Sequence, residues 1–198
     1  LLKAVDHGDN AAFGSAGSAI VPGLLLGSLI DSEYSASTNA SATGDDLNGV
    51  DDEDGVSMPA SIAPGATGAL TVTVTNTTGS TAFLHAWIDF NRNGVLTDAG
   101  EQVASNVLIA NGASNSNRSI SFTVPSSVPF GDLGVRVRLT SVSTPGSTGV
   151  LGNGEVEDHT LTIGCPTMTV TTASLPPGTV ASAYSQTLAA SGGSPPYT

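Results

Sequence analysis

The sequence predicts an all-β protein: an antiparallel β-sandwich of jelly-roll or immunoglobulin-like type, with long acidic loops and a short β tail. Three observations predict this class. Glycine and proline, 24 and 11 of the 198 residues, interrupt the chain at short intervals as turn residues do. The segments between them are rich in valine, isoleucine, leucine and threonine, and hydrophobic residues alternate with polar ones at a period of two. No segment shows sustained helical periodicity.

The first long strand is predicted only after an irregular third of the chain. Residues 1–68 carry clusters of glycine, serine, asparagine and aspartate around one apolar segment at 21–30. We therefore expect long loops with a few short strands there. From position 69, aliphatic residues alternate with threonines, which is typical of a half-buried strand, and 76–80 form a predicted turn.

A central strand is predicted at 82–90. Its residues are apolar on both faces, which suits a strand that is covered on both sides. His85 alternates there with Phe83 and Trp87. A buried and hydrogen-bonded histidine is therefore expected, rather than a catalytic one.

Further strands complete the predicted sandwich at 103–109, 119–124, 133–140 and 156–163. Their spacing is typical of an antiparallel sandwich. In the third of them we expect Val135, Val137 and Leu139 to face the core. We expect Arg136 and Arg138 to face outward.

A boundary is predicted near Cys165. It separates a sandwich domain at 1–164 from a tail at 165–198, which starts a new strand and then becomes rich in proline, glycine and serine. About thirty residues cannot bury a core of their own. The tail is thus expected to be an incomplete immunoglobulin-like repeat or a donated strand, and Cys165 a buried or linker thiol, or a cross-link between subunits.

The charge balance excludes several classes of partner. There are 17 acidic and 5 basic residues, a formal net charge of −12. No nucleic-acid partner is expected, because phosphate binding needs a basic face. No apolar run reaches the ~20 residues that span a bilayer, so no membrane insertion is expected.

The segment from Asp89 to Glu101 predicts a calcium site on a β scaffold. It supplies oxygen ligands at alternate positions, then a glycine for a sharp turn, then a distal carboxylate, as a hard cation requires. The predicted ligands are Asp89, Asn91, Asn93, Val95 through its carbonyl group, and Glu101 or Asp98 as the closing carboxylate. The alternative is a turn whose side chains bind their own backbone.

Two further acidic segments are candidate metal ligands. They contribute Asp45, Asp46, Asp51, Asp52, Asp54, Glu157 and Asp158. For the acidic segment at 45–54 the alternative is a solvated acidic loop. For the second, the alternatives are an edge-strand acidic patch and a salt bridge to Arg136 or Arg138.

Several ordered motifs resemble the GEVED domain of bacterial secreted and surface proteins. They are Gly154-Glu155-Val156-Glu157-Asp158, Ala42-Thr43-Gly44-Asp45-Asp46, Asp51-Asp52-Glu53-Asp54-Gly55-Val56 and Trp87-Ile88-Asp89-Phe90-Asn91. The resemblance covers roughly 21–163 and implies an extracellular β-sandwich of large multidomain proteins, not an enzyme. Residues 175–197 resemble the opening strands of a bacterial immunoglobulin-like repeat.

These observations predict a calcium-stabilised, extracellular structural or adhesive module at the cell surface. No nucleophile elbow, zinc-protease motif or phosphate-binding glycine loop is present in the sequence. The module is expected either to form surface filaments by strand addition or to be a monomeric spacer among neighbouring modules of an adhesin. A third alternative is a carbohydrate-binding accessory domain of a secreted enzyme.

Overall fold

The computed structural model describes residues 4–32, 35–44, 52–165 and 168–192. In these ranges the chain forms thirteen β-strands and no helix. The described residues therefore contain no helix that is long and apolar enough to cross a membrane. The all-β class predicted from periodicity is confirmed.

The first sheet of the sandwich has four antiparallel strands in the order β11-β9-β6-β7. They are β6 (Ala82–Ile88), β7 (Gln102–Ile109), β9 (Gly131–Thr140) and β11 (Glu155–Ile163). The central position of β6 explains why it is apolar on both faces. Strand β11 forms one edge of this sheet.

The second sheet is built on β5 (Thr67–Asn76). Its partners are β3 (Leu24–Leu26), β4 (Val56–Ser57) and β8 (Ala113–Thr123), all antiparallel to it. Strand β8 begins six residues before the predicted strand at 119–124, because its first half pairs with β5 through polar residues that give little hydrophobic signal. Among the described residues β8 pairs only with β5, which leaves its other edge open.

The hydrophobic core lies between these two sheets. Leu70, Val72 and Val74 of β5 are fully buried there, and so are Val135 and Val137 of β9. This confirms the two-residue alternation that the sequence predicts for both strands. The two sheets with a shared core form the antiparallel sandwich.

A third, small sheet covers the outer face of the first one. It contains β1 (Val5–His7), β2 (Ala16–Ala19) and β10 (Gly149–Leu151), with β2 and β10 parallel. Gly17 of β2 accepts a hydrogen bond from Arg138 at 2.6 Å, so this layer lies directly over β9.

Arg136 and Arg138 face away from the core, as expected, but they are not exposed to solvent. Both are 0% exposed. They lie on the face of β9 opposite the core, and the third sheet and its loops bury that face as well. The Arg136 guanidinium also lies 5.2 Å from the centroid of the Phe13 ring, which packs in a second apolar cluster with Trp87 and Leu96.

The tail forms only a short hairpin of β12 (Thr169–Val170) and β13 (Ala190–Ser191). Nearly all of its described residues are exposed. Cys165, expected to be a buried or a linker thiol, is exposed, with no disulfide. The division into domains at 1–164 and 165–198 stays a prediction.

Candidate metal sites

The loop after β6 folds around the carboxylate of Asp89. This side chain is 3% exposed. Its two oxygens accept hydrogen bonds from the backbone N–H groups of Asn93, at 3.1 Å, and Gly94, at 2.8 Å. Asp89 thereby fixes the turn that the sequence indicated with Gly94, whose φ is +76°.

Asparagine side chains continue the same pattern along the loop. The Oδ1 atom of Asn91 accepts from the N–H of Asn93, and that of Asn93 accepts from the N–H of Val95. Val95 itself has a side chain that is 47% exposed. These contacts are those of the alternative interpretation, in which the loop's side chains bind their own backbone.

Asp98 closes the exposed side of the loop. One of its oxygens accepts hydrogen bonds from the Nδ2 atoms of Asn91 and Asn93, each at 2.8 Å. These two bonds lower the pKa of Asp98. The structure thus brings Asp89, Asn91, Asn93 and Asp98 together, and their role as calcium ligands stays a prediction.

Glu101 is a buried acid at the end of this loop, and one of its two oxygens has no hydrogen-bond partner among the described residues. The residue is 2% exposed, and Oε1 accepts from the N–H of Asn91 at 3.3 Å. Its Oε2 atom is buried and has no hydrogen-bond partner among the described residues. Burial raises the pKa of Glu101, and the carboxylates of Asp89 and Asp98 add to that rise.

A cavity of about 220 Å³ adjoins this carboxylate. It is lined by Asn91, Gly100 and Glu101 on the loop side, and by Pro125 and Val128 on the other. The cavity leaves room beside Glu101 for an ion and its water molecules. The loop therefore presents clustered oxygen atoms and one unsatisfied buried carboxylate.

The second group of predicted ligands is only partly within the described residues. Asp45, Asp46 and Asp51 lie outside them. Asp52 is 3% exposed and accepts from the N–H of Asp31 at 2.8 Å. Asp54 is exposed and accepts from the backbone and hydroxyl group of Ser28, so these two acids hold the backbone of the segment after β3.

The third group, in β11, points to both faces of the first sheet. Asp158 pairs across the sheet with Arg136, and the two side chains share the outer face. They form a buried two-point salt bridge, with Nε to Oδ1 at 2.7 Å and Nη2 to Oδ2 at 2.6 Å. Of the alternatives left open for this segment, the salt bridge to Arg136 is the one observed for Asp158.

Glu155, Glu157 and His159 alternate on the inner face of β11, at the margin of the core. Glu155 accepts from the N–H of Leu26 at 2.5 Å, and Glu157 from the N–H of Gly55 at 2.9 Å. These bonds join β11 to both β3 and the start of β4. The two glutamates therefore hold the first and second sheets together along one edge.

Other carboxylates cap the open edge of β11. Asp6 accepts from the N–H of Val156 at 2.7 Å, and Glu53 accepts from the N–H of Asp158 at 2.9 Å. Sequence reasoning did not assign Asp6 or Glu53 to a site. The only signal for them was their charge, because the contacts span about 100 to 150 residues of chain.

This edge contains a group that could hold a metal ion: Glu53, Glu157 and His159. One ligand atom from each lies within 4.8 Å of the other two. Nε2 of His159 is 3.0 Å from Oε2 of Glu157 and 3.6 Å from Oε2 of Glu53. Glu157 was predicted as a metal ligand, whereas Glu53 and His159 were not.

Burial of several carboxylates together raises their pKa values. Burial is the main cause for Glu155, whose pKa rises to about 11, with Asp6 and Glu157 adding to it. The pKa of Glu53 is also raised, by burial first and then by Glu157, Asp158, Asp9 and Asp6. At this edge burial and the neighbouring carboxylates therefore both favour the protonated forms of Glu53 and Glu155.

The fold and its acidic loops define an acid-rich β-sandwich. Residues 83–162 match the GEVED domain family, a stretch that includes both the Asp89 loop and β11. No curated protein matches the chain. The match supports the resemblance for these residues, while the immunoglobulin-like repeat of the tail stays a prediction.

One similar solved structure is the CARDB domain of a Pyrococcus furiosus protein in complex with di-metal ions. It is 14% identical in sequence, with a TM-score of 0.34, over 55% of this chain and 83% of that chain.

Proposed function

We propose that this protein is a non-catalytic, extracellular β-sandwich module with a structural or adhesive role, stabilised by calcium at the Asp89 loop. The sandwich and the GEVED match over 83–162 support a structural or adhesive module. The observation that carries the calcium proposal is the buried Oε2 atom of Glu101, which lacks a hydrogen-bond partner among the described residues. Glu101 and Asn91 line the same cavity.

Calcium would supply the charge that this loop lacks. Carboxylate and amide oxygens from Asp89, Asn91, Asn93 and Glu101 are hard ligands, which calcium takes at coordination numbers of six to eight. Binding to the folded state alone stabilises it by about 1.4 kcal/mol at a calcium concentration ten times the dissociation constant. The loop would then hold the end of β6 against the start of β7.

Glu101→Gln is the sharpest test of this site. Asp89 is less suitable, because it accepts two backbone hydrogen bonds and its loss would destabilise the loop with or without calcium. We expect millimolar calcium to raise the Tm of the wild-type protein, measured by calorimetry against a chelator. The E101Q variant should lose most of that increase, yet be at least as stable as wild type in chelator, because it buries no charge there.

Asp132→Asn is the matched control. Asp132 is an exposed acid outside the loop, whose carboxylate contacts Thr162. Its variant should keep the full calcium response. An equal calcium response in E101Q and wild type would show that Glu101 is not a ligand.

A second candidate function, a filament subunit, is favoured by the tail. Six of its large apolar side chains are exposed: Met168 55%, Val170 56%, Leu175 49%, Val180 96%, Tyr184 48% and Leu188 62%. Covering such side chains by another chain would release water from apolar surface. The open edge of β8 offers a second copy's tail a strand to pair with.

Negative-stain electron microscopy distinguishes these candidates. For a filament subunit we expect fibres in calcium that disperse in chelator and that Leu188→Asp abolishes without changing the Tm. Single particles in both conditions would contradict the filament and leave a monomeric spacer or adhesive module.

A further inference from the structure

Glu53, Glu157 and His159 meet where the open edge of β11 faces the segment before β4. Glu157 and His159 are neighbours on one face of the strand, and Glu53 reaches them from more than 100 residues away. Their side chains are 1%, 12% and 9% exposed for Glu157, His159 and Glu53, respectively. We propose that these three residues bind a zinc-class divalent metal ion, at a site separate from the calcium loop.

The charges around the group call for a cation. Two carboxylates share one imidazole here, because Nε2 of His159 lies 3.6 Å from Oε2 of Glu53 and 3.0 Å from Oε2 of Glu157. Arg136, the nearest arginine on this part of the sheet, is held by both oxygens of Asp158. A divalent ion carries two positive charges and would neutralise the carboxylates of Glu53 and Glu157 together. A protonated His159 carries one charge and could neutralise only one of them.

A second observation points the same way. Glu155 precedes Glu157 by two residues on the same inner face of β11, and it is 0% exposed. Its Oε1 atom has no hydrogen-bond partner in the part of the chain that the structure describes. Glu155 thus adds a further buried carboxyl group next to Glu53 and Glu157 on this edge.

The ligand set selects the kind of metal. Calcium takes oxygen ligands, whereas zinc and its neighbours accept imidazole nitrogen together with carboxylate oxygen. A tetrahedral zinc ion with bonds of about 2.1 Å spaces its ligand atoms about 3.4 Å apart. The distances from Nε2 of His159 to the two carboxylate oxygens, 3.0 and 3.6 Å, lie on either side of that value.

Such an ion would tie the segment before β4 to the edge of the first sheet. Hydrogen bonds already join these parts, from Asp158 to Glu53 and from Gly55 to Glu157. Three protein ligands leave a fourth position for water, which the partial exposure of Glu53 and His159 allows. The site would thus stabilise the same edge that the buried glutamates fasten.

The test uses the full chain, from which metal is first removed with chelator. One sample is then titrated with zinc, and a second with cobalt, whose visible absorption reports on its ligands. We expect one equivalent of zinc to be retained after dialysis and to raise the Tm. We also expect the cobalt form to show the visible absorption of a nitrogen-ligated tetrahedral ion. His159→Gln should weaken zinc binding by at least about tenfold and remove the cobalt spectrum.

His7→Gln is the matched histidine control, since His7 lies on β1, outside the proposed ligand set, with its Nδ1 atom 3.3 Å from the carbonyl oxygen of Ala16. It should bind zinc like wild type, and so should E101Q, which removes the calcium ligand instead. If H159Q does not fold, Glu53→Gln serves in its place, because its amide oxygen still accepts from the N–H of Asp158. The zinc proposal would be overturned if zinc is not retained, or if zinc binding survives in both H159Q and E53Q. The absence of a calcium response alone would overturn only the calcium site.

Discussion

Gly154 places the chain at the start of β11 in a conformation that other residues rarely adopt. Its φ is +112°, and a Cβ atom there would collide with the carbonyl oxygen of Leu139 on β9. The glycine is therefore required both by its backbone angle and by the close approach of the neighbouring strand.

Gly154→Ala should consequently destabilise the protein strongly. We expect a loss of at least about 1–3 kcal/mol from the backbone angle alone, measured by urea unfolding. Gly152→Ala is the control, because a Cβ at that position meets nothing within 4 Å and its φ is not positive. It should change stability by less than about 0.5 kcal/mol. Similar losses in both variants would contradict the role assigned to Gly154.

His85 confirms the buried histidine that the sequence predicts in β6. It is 0% exposed, its Nδ1 atom accepts from the N–H of Asn106 at 3.4 Å, and its ring stacks on Trp87. Burial lowers the pKa of His85 below its ordinary value of 6.5, and the charge of Arg138 acts in the same direction.

This lowered pKa predicts an acid-sensitive contribution to stability. Because the unfolded chain binds a proton to His85 more readily than the folded protein does, the contribution is complete above pH 6.5 and is lost as the pH falls below it. His85→Gln should therefore show a smaller loss of unfolding free energy than wild type between pH 7 and 5, measured by urea titration at each pH. Parallel pH profiles for the two proteins would rule this out.

At the level of elements, β9 and β11 are the strands on which the fold depends most. Val135, Val137 and Leu139 of β9 face the core, while Arg136 and Arg138 of β9 and Asp158 of β11 are buried on the outer face beneath the third sheet. The alternation that marks them as strands was readable from the sequence. The burial of their outer face was not, because the covering layer comes from β1, β2 and β10, which carry almost no periodic signal.

Arg138 holds the third sheet against β9 through hydrogen bonds. Its guanidinium donates hydrogen bonds to the carbonyl groups of Gly17, Gly146, Thr148 and Gly149, and burial lowers its pKa to about 10. It thus joins β9 to β2, to β10 and to the loop before β10.

Arg138→Met should loosen that layer locally. Four carbonyl groups would lose their donor, and the buried one, that of Gly17, would be left unsatisfied at a cost of about 1–3 kcal/mol. We expect hydrogen–deuterium exchange, followed by mass spectrometry, to rise in 146–151 and in β2 more than in β6. Arg118→Met is the control, since Arg118 contacts only the carbonyl of its neighbour Asn117. Uniform acceleration across all strands would mean that Arg138 supports the whole sandwich instead.

At the scale of the whole molecule, the net charge of −12 opposes compaction. The acids concentrate in the Asp89 loop and along the edge of β11, where five basic residues in the whole chain cannot balance them. Self-repulsion of this kind is screened by salt and is relieved more specifically by a bound ion.

The metal-free protein should therefore become more stable as sodium chloride increases. In chelator we expect the Tm to rise between low and physiological ionic strength, because the Debye length shortens from about 30 Å at 0.01 M to about 8 Å at 0.15 M. At matched ionic strength, calcium should raise the Tm further than sodium does. A Tm that is indifferent to salt would show that the acidic groups remain protonated or are already compensated.

Like the fold, the candidate sites include a part that the sequence could predict and a part that only the tertiary structure shows. The Asp89 loop could be predicted because its ligands are close in sequence, so spacing alone brings Asp89, Asn91, Asn93 and Asp98 together. Glu53 and His159 could not be grouped, because they come from segments more than 100 residues apart and only the packing of β11 against the start of β4 joins them. Charge marked the acidic segments, but it could not distinguish an acid that holds a backbone N–H from one that faces a cation.

The sequence by itself determined the all-β class, the inward-facing residues of β5 and β9, and the local loop after β6, since each follows from the two-residue repeat or from short-range spacing. Only the tertiary structure decided that Arg136 and Arg138 are buried, that Asp158 is committed to a salt bridge, and that Asp6 and Glu53 cap the edge of β11. These are contacts between distant segments. They depend on which surfaces are left uncovered once the two main sheets have packed, and no local pattern records that.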